Sequence, residues 1–243
     1  MNFLDRILHF SRARASSGGL EISDSMLRFG YFDGVLWQLV SQRLPQGLME
    51  AGVVKDEAKL LQAFTLFRNE IASRVKAFVK KGSRHGAEVV VTMSSLSVYS
   101  QMFMLPAVEK ERLEAAVKLN LQMLSPAELS EEYAGSQLLG SGEEQGIELL
   151  AAFVGREPVD AIANLLSRAG FFVVALEFRG LSLARLARER GVGFDPHTST
   201  VIVSIDDNGI DFLVIRHGEL YFDYFTSWYD LQREGRQISK QEF

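Results

Sequence analysis

Two strand–turn–strand patterns, one near the start of the chain and one in its last quarter, constrain the fold most strongly. The first spans residues 19–29 with its turn at 23–25, and the second spans residues 200–215 with its turn at 206–209. Backbone N–H groups can converge on an anion in such a turn, and glycine is favoured there because no Cβ blocks the approach. The repetition of this pattern predicts one duplicated α/β fold. A nucleotide can bind between two such hairpins.

The turns themselves lack the residues that suit a phosphate. The first reads Ser23-Asp24-Ser25, and the Asp24 carboxylate repels a polyphosphate unless a metal ion intervenes. In the second turn, Asp206 and Asp207 could attract a hard cation. An Asp-Asn-Gly hairpin tip explains both aspartates without a metal, and we favour that interpretation. The pattern therefore predicts polar turns in a protein that binds other proteins.

Composition narrows the class of protein. A chain of 243 residues, 47% of them hydrophobic, can bury a large core. Its formal charge of -5 and pI near 5.5 provide no field that attracts nucleic acid, so we expect no nucleic-acid partner. The absence of cysteine excludes disulfides, thiolate zinc sites and cysteine nucleophiles, and the four histidines lack metal-ligand spacing. We expect no metal site and no catalytic residue.

The first 14 residues predict a short basic amphipathic helix. Its apolar residues are Phe3, Leu4, Ile7, Leu8 and Phe10, and its basic residues are Arg6, Arg12 and Arg14. Such a helix can lie on an anionic membrane surface. It can also pack on its own domain, which is the interpretation that we favour.

Periodicity and turn residues predict the remaining elements. An Asp33-Gly34 turn typical of type I′ hairpins separates apolar runs at 26–32 and 35–40. Helical spacing predicts helices over 56–79, 110–124, 158–169 and 181–190. Strand patterns occupy 88–93, 98–105, 133–139, 147–154 and 171–178, followed by a meander at 200–205, 210–215 and 220–225. The nearly unbroken apolar run at 171–178 predicts a strand that is buried on both faces.

Six landmarks follow one another in a specific order and spacing, at residues 19–29, 44–56, 89–106, 124–129, 159–177 and 200–211. In that order they resemble the actin-like pilus assembly proteins of the PilM type, which act in bacterial type IV pilus machines. That family is related to the cell-division protein FtsA and to the cytoplasmic domains of type II secretion platform proteins. The resemblance implies an α/β, actin-like ATPase (ribonuclease H-like) fold with a small inserted α/β interaction subdomain.

The resemblance also implies a domain organisation. Residues 1–86 would open the first actin-like domain, 87–178 would form the inserted subdomain, and 179–243 would hold a linking helix and the start of the second actin-like domain. Family members continue further, so we expect a C-terminally truncated fold or a fragment. Six aromatic side chains would then form a patch that packs beneath the missing portion or a second copy: Tyr221, Phe222, Tyr224, Phe225, Trp228 and Tyr229.

The family's nucleotide motifs are altered in this chain. The first hairpin of the family usually reads Asp-Ile-Gly-Ser, which falls on residues 21–24, and the second usually reads Asp-Ile-Gly, which falls on residues 204–206. Both glycine positions are lost, and the metal-supporting aspartate survives only as Glu21. We expect no cofactor, with ATP and magnesium as the alternative. If a nucleotide binds, its candidate contacts are Glu21, Ser23, Ser25, Ser204 and Asp206.

The resemblance implies a cytoplasmic scaffold of a type IV pilus, or related type II secretion, inner-membrane assembly platform. Such a protein would bind the cytoplasmic tail of a bitopic inner-membrane pilus protein, which would hold it at the membrane. The assembly ATPase and a second copy of the chain are further candidate partners. The alternative is a nucleotide-dependent actin-like ATPase that regulates assembly of a pilus or division complex.

Overall fold

The computed structural model describes residues 17–75, 87–142, 146–191, 193–195, 197–206 and 208–233. Its helices are α1 (Glu57–Arg74), α2 (Lys110–Leu124), α3 (Arg156–Arg168) and α4 (Arg179–Arg190). Its strands are β1 (Gly18–Ile22), β2 (Met26–Phe32), β3 (Trp37–Arg43), β4 (Met49–Glu50), β5 (Val53–Val54), β6 (Ala87–Met93), β7 (Val98–Leu105), β8 (Glu132–Gly142), β9 (Gly146–Gly155), β10 (Phe171–Phe178), β11 (Thr200–Ile205), β12 (Gly209–Arg216) and β13 (Glu219–Ser227). The predicted order of helices and strands is confirmed over the described residues.

A five-stranded sheet forms the first layer, in the order β10-β6-β1-β2-β3. Hairpins join β1, β2 and β3 as antiparallel neighbours, whereas β6 and β10 run parallel to β1. Helices α1 and α3 pack against each other, and their apolar faces share one core with this sheet. The parallel arrangement places the carboxyl ends of β1, β6 and β10 at one edge of the sheet, next to the turn between β1 and β2.

Helix α1 shows how the sequence builds this core. The Asp56 side chain caps the helix by accepting a hydrogen bond from the Lys59 backbone N–H at 3.0 Å. Leu60, Phe64 and Phe67 follow at spacings of four and three residues and are fully buried. That spacing places them on one face of the helix, which therefore packs inwards.

A separate three-stranded sheet has the order β7-β9-β8. Its strands lie between β6 and β10 in the sequence. Helix α2 covers one face, with Phe103, Leu121 and Phe153 in its core. The inserted unit was predicted over 87–178, but β6 and β10, at the two ends of that range, pair within the first sheet. Parallel pairing joins strands that are distant in sequence, so the sequence pattern did not reveal this closer boundary.

The third layer is an antiparallel meander in the order β11-β12-β13. Leu213, Ile215 and Leu220 are fully buried on its inner face, where they pack with Phe178 and Ala184. Gly209 begins β12 at a position where a Cβ would collide with the carbonyl oxygen of Thr226. Only glycine fits there, so this turn is tightly specified.

Two local predictions differ from the structure. The β2–β3 connection is a four-residue loop at 33–36, closed by the Asp33 N–H and side chain, and not a two-residue type I′ turn at Asp33-Gly34. Strand β10 was predicted to be buried on both faces, but Phe172 and Val174 are exposed because β10 lies at the edge of its sheet. The predicted amphipathic helix at 1–14 and the end of the helix predicted over 56–79 lie outside the described residues.

Candidate functional site: a charged cleft and an apolar groove

The turns of the two predicted hairpins meet in a cleft at the edge of the first sheet. The Asp24 backbone N–H donates to the Asn208 side-chain oxygen at 3.3 Å, which joins the β1–β2 turn directly to the β11–β12 turn. A cavity of about 300 Å³ remains beside this contact. It is lined by Glu21, Arg28, Thr92, Arg179, Ser182, Leu183, Ser204, Ile205 and Asp206.

An arginine lies at the centre of this cleft. Arg179 Nη2 donates to Glu21 Oε1 at 2.9 Å, and Nη1 contacts the Asp206 carboxylate and lies 3.4 Å from Asp211 Oδ2. The Arg179 side chain is only 5% exposed, and those of Asp206 and Asp211 are 6% and 0% exposed. One guanidinium therefore joins carboxylates from the first sheet and from the meander. Hydrogen bonds to ionised groups in such a shielded site are stronger than exposed ones.

The predicted contact residues take different parts in this arrangement. Glu21 binds both Arg179 and, at 3.2 Å, Arg28. Asp206 joins Glu21 through Arg179, and Ser204 lines the same cavity. The structure thus brings Glu21, Ser204 and Asp206 together in one cleft, and their assignment as nucleotide contacts stays a prediction.

Ser23 and Ser25 do not take part in the cleft in this way. Ser23 is buried, and its hydroxyl accepts from the Met26 N–H at 3.0 Å within its own turn. Ser25 is not among the residues that line the cavity, and its carbonyl accepts from the Leu44 N–H at 2.7 Å. These serines close the β1–β2 turn and hold it against the chain that follows β3.

The aspartates of both turns also accept backbone hydrogen bonds. The Asp24 carboxylate accepts from the N–H groups of Ala51 at 2.7 Å and Gly52 at 3.0 Å. Asp206 Oδ1 accepts from the N–H groups of Asn208 at 2.8 Å and Gly209 at 2.9 Å. The local bonds of Asp206 are typical of an Asx turn, which agrees with the hairpin tip favoured from the sequence. Asp207, the other half of the considered cation pair, lies outside the described residues.

Two carboxyl groups, those of Asp211 and Asp223, lie close to the start of α4. Burial raises the pKa of Asp211 above its ordinary value, although the Arg179 charge offsets part of that rise. Burial, together with the negative charge of Asp211, raises the pKa of Asp223 from 3.8 to about 7. Oδ1 of Asp223 has no hydrogen-bond partner within the described part of the chain. Additional negative charge beside these two groups is therefore unfavourable.

No group of three or more histidine, cysteine, aspartate or glutamate side chains in the described ranges is arranged to hold a metal ion. The carboxylates of the cleft point at the Arg179 guanidinium and not at a shared empty position. Chemically, the cleft is an internal ion-pair network that joins two parts of the fold.

A second and larger concavity lies between the inserted sheet, α4 and the carboxyl end of β10. This apolar groove has a volume of about 540 Å³. Apolar residues that line it include Val98, Leu150, Ala152, Val154, Leu176, Phe178, Leu181, Ala184 and Leu220. Consecutive residues 133–137 of β8 also line it, and β8 pairs only with β9 among the described strands. An edge strand beside an apolar groove is the arrangement in which an extended peptide can bind by strand addition.

Polar side chains form part of the groove wall. Gln137 of β8 and Arg188 of α4 both contact the Glu219 carboxylate, the latter at 2.8 Å. On the same helix, Arg185 binds the buried Glu177 carboxylate, with Nη1 at 2.9 Å from Oε2. These ion pairs fix α4 relative to β8, β10 and β13, so the groove has a defined shape.

The predicted aromatic patch is divided between two faces of the meander. Phe222 and Tyr224 are exposed, and Tyr224 lies beside Phe212 with ring centroids 6.5 Å apart. Phe225 lies on the opposite face, because it pairs across the sheet with the buried Asp211. The Trp228 indole N–H donates to the Asp206 carbonyl at 2.8 Å, at the back of the cleft turn. The aromatic residues therefore do not form one surface.

Sequence analysis did not identify Arg179, the residue at the centre of the cleft. The helix was predicted over 181–190, whereas Arg179 is the first residue of α4 in the structure, and no acidic residue accompanies it in the first turn. A cation at a helix N-terminus is disfavoured by the helix dipole, so such an arginine requires carboxylates from elsewhere.

The fold and the inserted sheet define an α/β protein of the actin-like class. A chain of a PilM–PilN type IV pilus biogenesis complex has a TM-score of 0.70 to this chain at 20% identity, covering 87% of this chain and 61% of that chain. The cytoplasmic domain of EpsL, an inner-membrane component of the type II secretion system of Vibrio cholerae, has a TM-score of 0.52 at 13% identity, covering 86% and 70%. No protein-family model and no curated protein matches the sequence.

These likenesses confirm the predicted fold class and the predicted resemblance to PilM and to a type II secretion platform domain. The chain spans less than two thirds of the PilM–PilN complex chain that it matches. None of the helices in the described ranges has the length and hydropathy needed to cross a membrane.

Proposed function

We propose that this chain is a cytoplasmic scaffold of a type IV pilus or type II secretion assembly platform. In this role it binds an extended, largely apolar segment from the cytoplasmic tail of a membrane-anchored partner. The observation that carries the proposal is the apolar groove of about 540 Å³ bordered by the edge strand β8. Two solved proteins that share the fold support it, because one is named as a complex with PilN and the other as an inner-membrane component.

The groove chemistry suits a tail of this kind. Ligand sites are usually concave and mostly apolar, with a few polar groups that fix orientation. The backbone of β8 would supply hydrogen bonds to an extended peptide, and the apolar floor would accept every second side chain. Arg185 and Arg188 add positive charge to a wall that also contains Glu177 and Glu219. A second copy of the chain and the assembly ATPase remain predicted partners.

The test is a fluorescence-anisotropy titration of the full chain with a labelled synthetic peptide. The peptide has the sequence of the cytoplasmic tail of the bitopic protein encoded beside this gene. We expect saturable binding that weakens at least tenfold in Leu181→Ser, since Leu181 lines the groove. Leu186→Ser is the matched control, because Leu186 lies on the same helix, is 58% exposed and does not line the groove.

Equal affinity of both variants for the tail peptide would contradict the assigned groove, and no binding by the unaltered chain would contradict the function. Circular dichroism of each variant shows whether the fold is retained. Val154→Ser, from β9 on the opposite wall, gives an independent groove variant if Leu181→Ser does not fold.

A further inference from the structure

The resemblance places a metal ion and a nucleotide between the two hairpins, and the described residues of this cleft do not fit that pair. We propose that Arg179 occupies the position of the metal ion, as a cation that is covalently part of the chain. Its guanidinium pairs permanently with Glu21, Asp206 and Asp211, so these carboxylates are not available to magnesium and, through it, to a nucleotide. This inference does not depend on tail binding in the groove.

The contacts of the guanidinium carry the first step. Arg179 reaches Glu21 at 2.9 Å, lies 3.4 Å from Asp211 and touches Asp206 as well. A guanidinium presents its N–H groups in a rigid planar fork, so it can serve several carboxylates at once where a lysine ammonium could not do so in one plane. Arg179 thus joins three carboxylates of two layers, as a divalent cation would.

The position of Arg179 in the chain carries the second step. Strand β10 ends at residue 178 and α4 begins at residue 179, with no loop between them. The backbone of both elements therefore holds Arg179 in the cleft, and its side chain is 5% exposed. Moving it out would leave the buried carboxylates of Asp206 and Asp211 without a cationic partner, which is strongly unfavourable. Arg179 is accordingly a fixed occupant of the cleft.

The ligand requirements of magnesium carry the third step. Magnesium needs nearly octahedral oxygen ligands at about 2.0–2.1 Å. Here one oxygen each of Glu21, Asp206 and Asp211 faces the guanidinium, so a magnesium ion placed among them would have to displace Arg179. The hydroxyl of Ser23 and the carboxylate of Asp24 are used by backbone hydrogen bonds. Among the described residues no group of three carboxylates is arranged to hold a metal ion, and a polyphosphate would meet these carboxylates without one.

Thermal unfolding of the full chain, measured with and without magnesium chloride, calcium chloride and magnesium ATP, tests this proposal. Potassium chloride at matched ionic strength is the salt control. We expect the melting temperature of the unaltered chain to be the same in all of them. In Arg179→Met, which exposes the carboxylates to each other, we expect a lower melting temperature that a divalent cation raises. The rise should be about 3–6 °C for each tenfold excess over the dissociation constant.

Arg185→Met is the matched control. Arg185 lies on the same helix and also pairs with a buried carboxylate, but with Glu177 alone. This variant should lose stability without gaining a response to divalent cations, because one carboxylate does not make a cation site. If Arg179→Met is unfolded, titrating calcium or magnesium into it should restore its circular dichroism spectrum.

Two results would overturn the proposal. One is stabilisation of the unaltered chain by magnesium ATP that Arg179→Met abolishes, which would make Arg179 a nucleotide contact and favour the ATPase alternative. The other is an Arg179→Met chain, folded or unfolded, that no divalent cation stabilises. Tail binding in the groove would be unaffected by either result, so failure here is distinguishable from failure of the proposed function.

Discussion

The charged cleft and the apolar groove lie on opposite sides of α4 and have opposite chemistry. The cleft presents side chains that pair with one another, centred on Arg179, in a cavity of about 300 Å³. The groove is larger, at about 540 Å³, and some of its apolar residues, such as Val154 and Leu181, are only partly buried. The charged groups of the cleft pair with one another, whereas the apolar surface of the groove can be buried only by a binding partner. The comparison indicates that a partner gains more by binding the groove.

The same helix divides these two regions by its periodicity. Arg179 and Ser182 face the cleft, whereas Leu181, Ala184 and Arg188 face the groove. Substitutions on α4 can therefore affect one region while sparing the other. We expect cleft substitutions to change stability and groove substitutions to change tail affinity.

Removing the central arginine should have the largest effect. Arg179→Ala leaves Glu21, Asp206 and Asp211 without their shared partner, so we expect the free energy of unfolding at pH 7 to fall by roughly 3–5 kcal/mol. Urea unfolding followed by circular dichroism measures this change. At temperatures where the variant stays folded, its affinity for the tail peptide should be unchanged. A loss of less than 1 kcal/mol would show that the ion pairs are not a structural centre.

Filling the groove should have the next largest effect, and on binding. Ala152 is half-buried on β9 and lines the groove, so the ring of Ala152→Phe would occupy space that the tail needs. We expect at least a tenfold loss of affinity, which is about 1.4 kcal/mol. Leu138→Phe on β8 is the control, because Leu138 is exposed and does not line the groove. Unchanged tail affinity in Ala152→Phe would place the tail elsewhere.

The two regions also differ in how far the sequence predicted them. The hairpins around Ser23 and Asp206 were predicted because local strand and turn patterns determine them, and both are confirmed. The ion pair between Glu21 and Arg179 joins residues 158 positions apart, and no local pattern contains that information. The groove could not be predicted from local sequence patterns either, since its walls come from β8, β9 and α4. The local helices and strands could be predicted, but the contacts between their side chains depend on tertiary packing.

A pH-dependent change in folding stability should come from Asp223. The pKa of Asp223 is about 7, raised by burial and by Asp211, so the folded chain holds a proton that the unfolded chain loses near pH 4. The contribution of Asp223 to stability therefore falls as the pH rises from about 4 to about 7, and levels off above. Asp211 faces this group from β12, and Ser100 from β7 donates to its backbone carbonyl.

Asp223→Asn should remove this pH dependence. We expect the variant to be about 1 kcal/mol more stable than the unaltered chain at pH 8, allowing for residual solvent screening, with the difference disappearing towards pH 4. Thermal unfolding of both proteins at pH 4.5, 6 and 8 measures it. An equal difference at every pH would mean that Asp223 does not titrate in this range.

The smallest effect should come from the edge of the groove. Arg188 and Glu219 form an ion pair at 2.8 Å whose side chains are 38% and 32% exposed, and pairs this accessible contribute at most about 1 kcal/mol. Arg188→Ala should therefore change unfolding little, and Arg112→Ala, from another exposed pair away from the groove, is its control. The effect of Arg188→Ala on tail binding should be confined to the association rate and the salt dependence of that rate. Charges at the rim of an interface steer the encounter more than they stabilise the complex. Stopped-flow binding at two salt concentrations separates the rates, and a changed dissociation rate would mean that Arg188 contacts the bound tail directly.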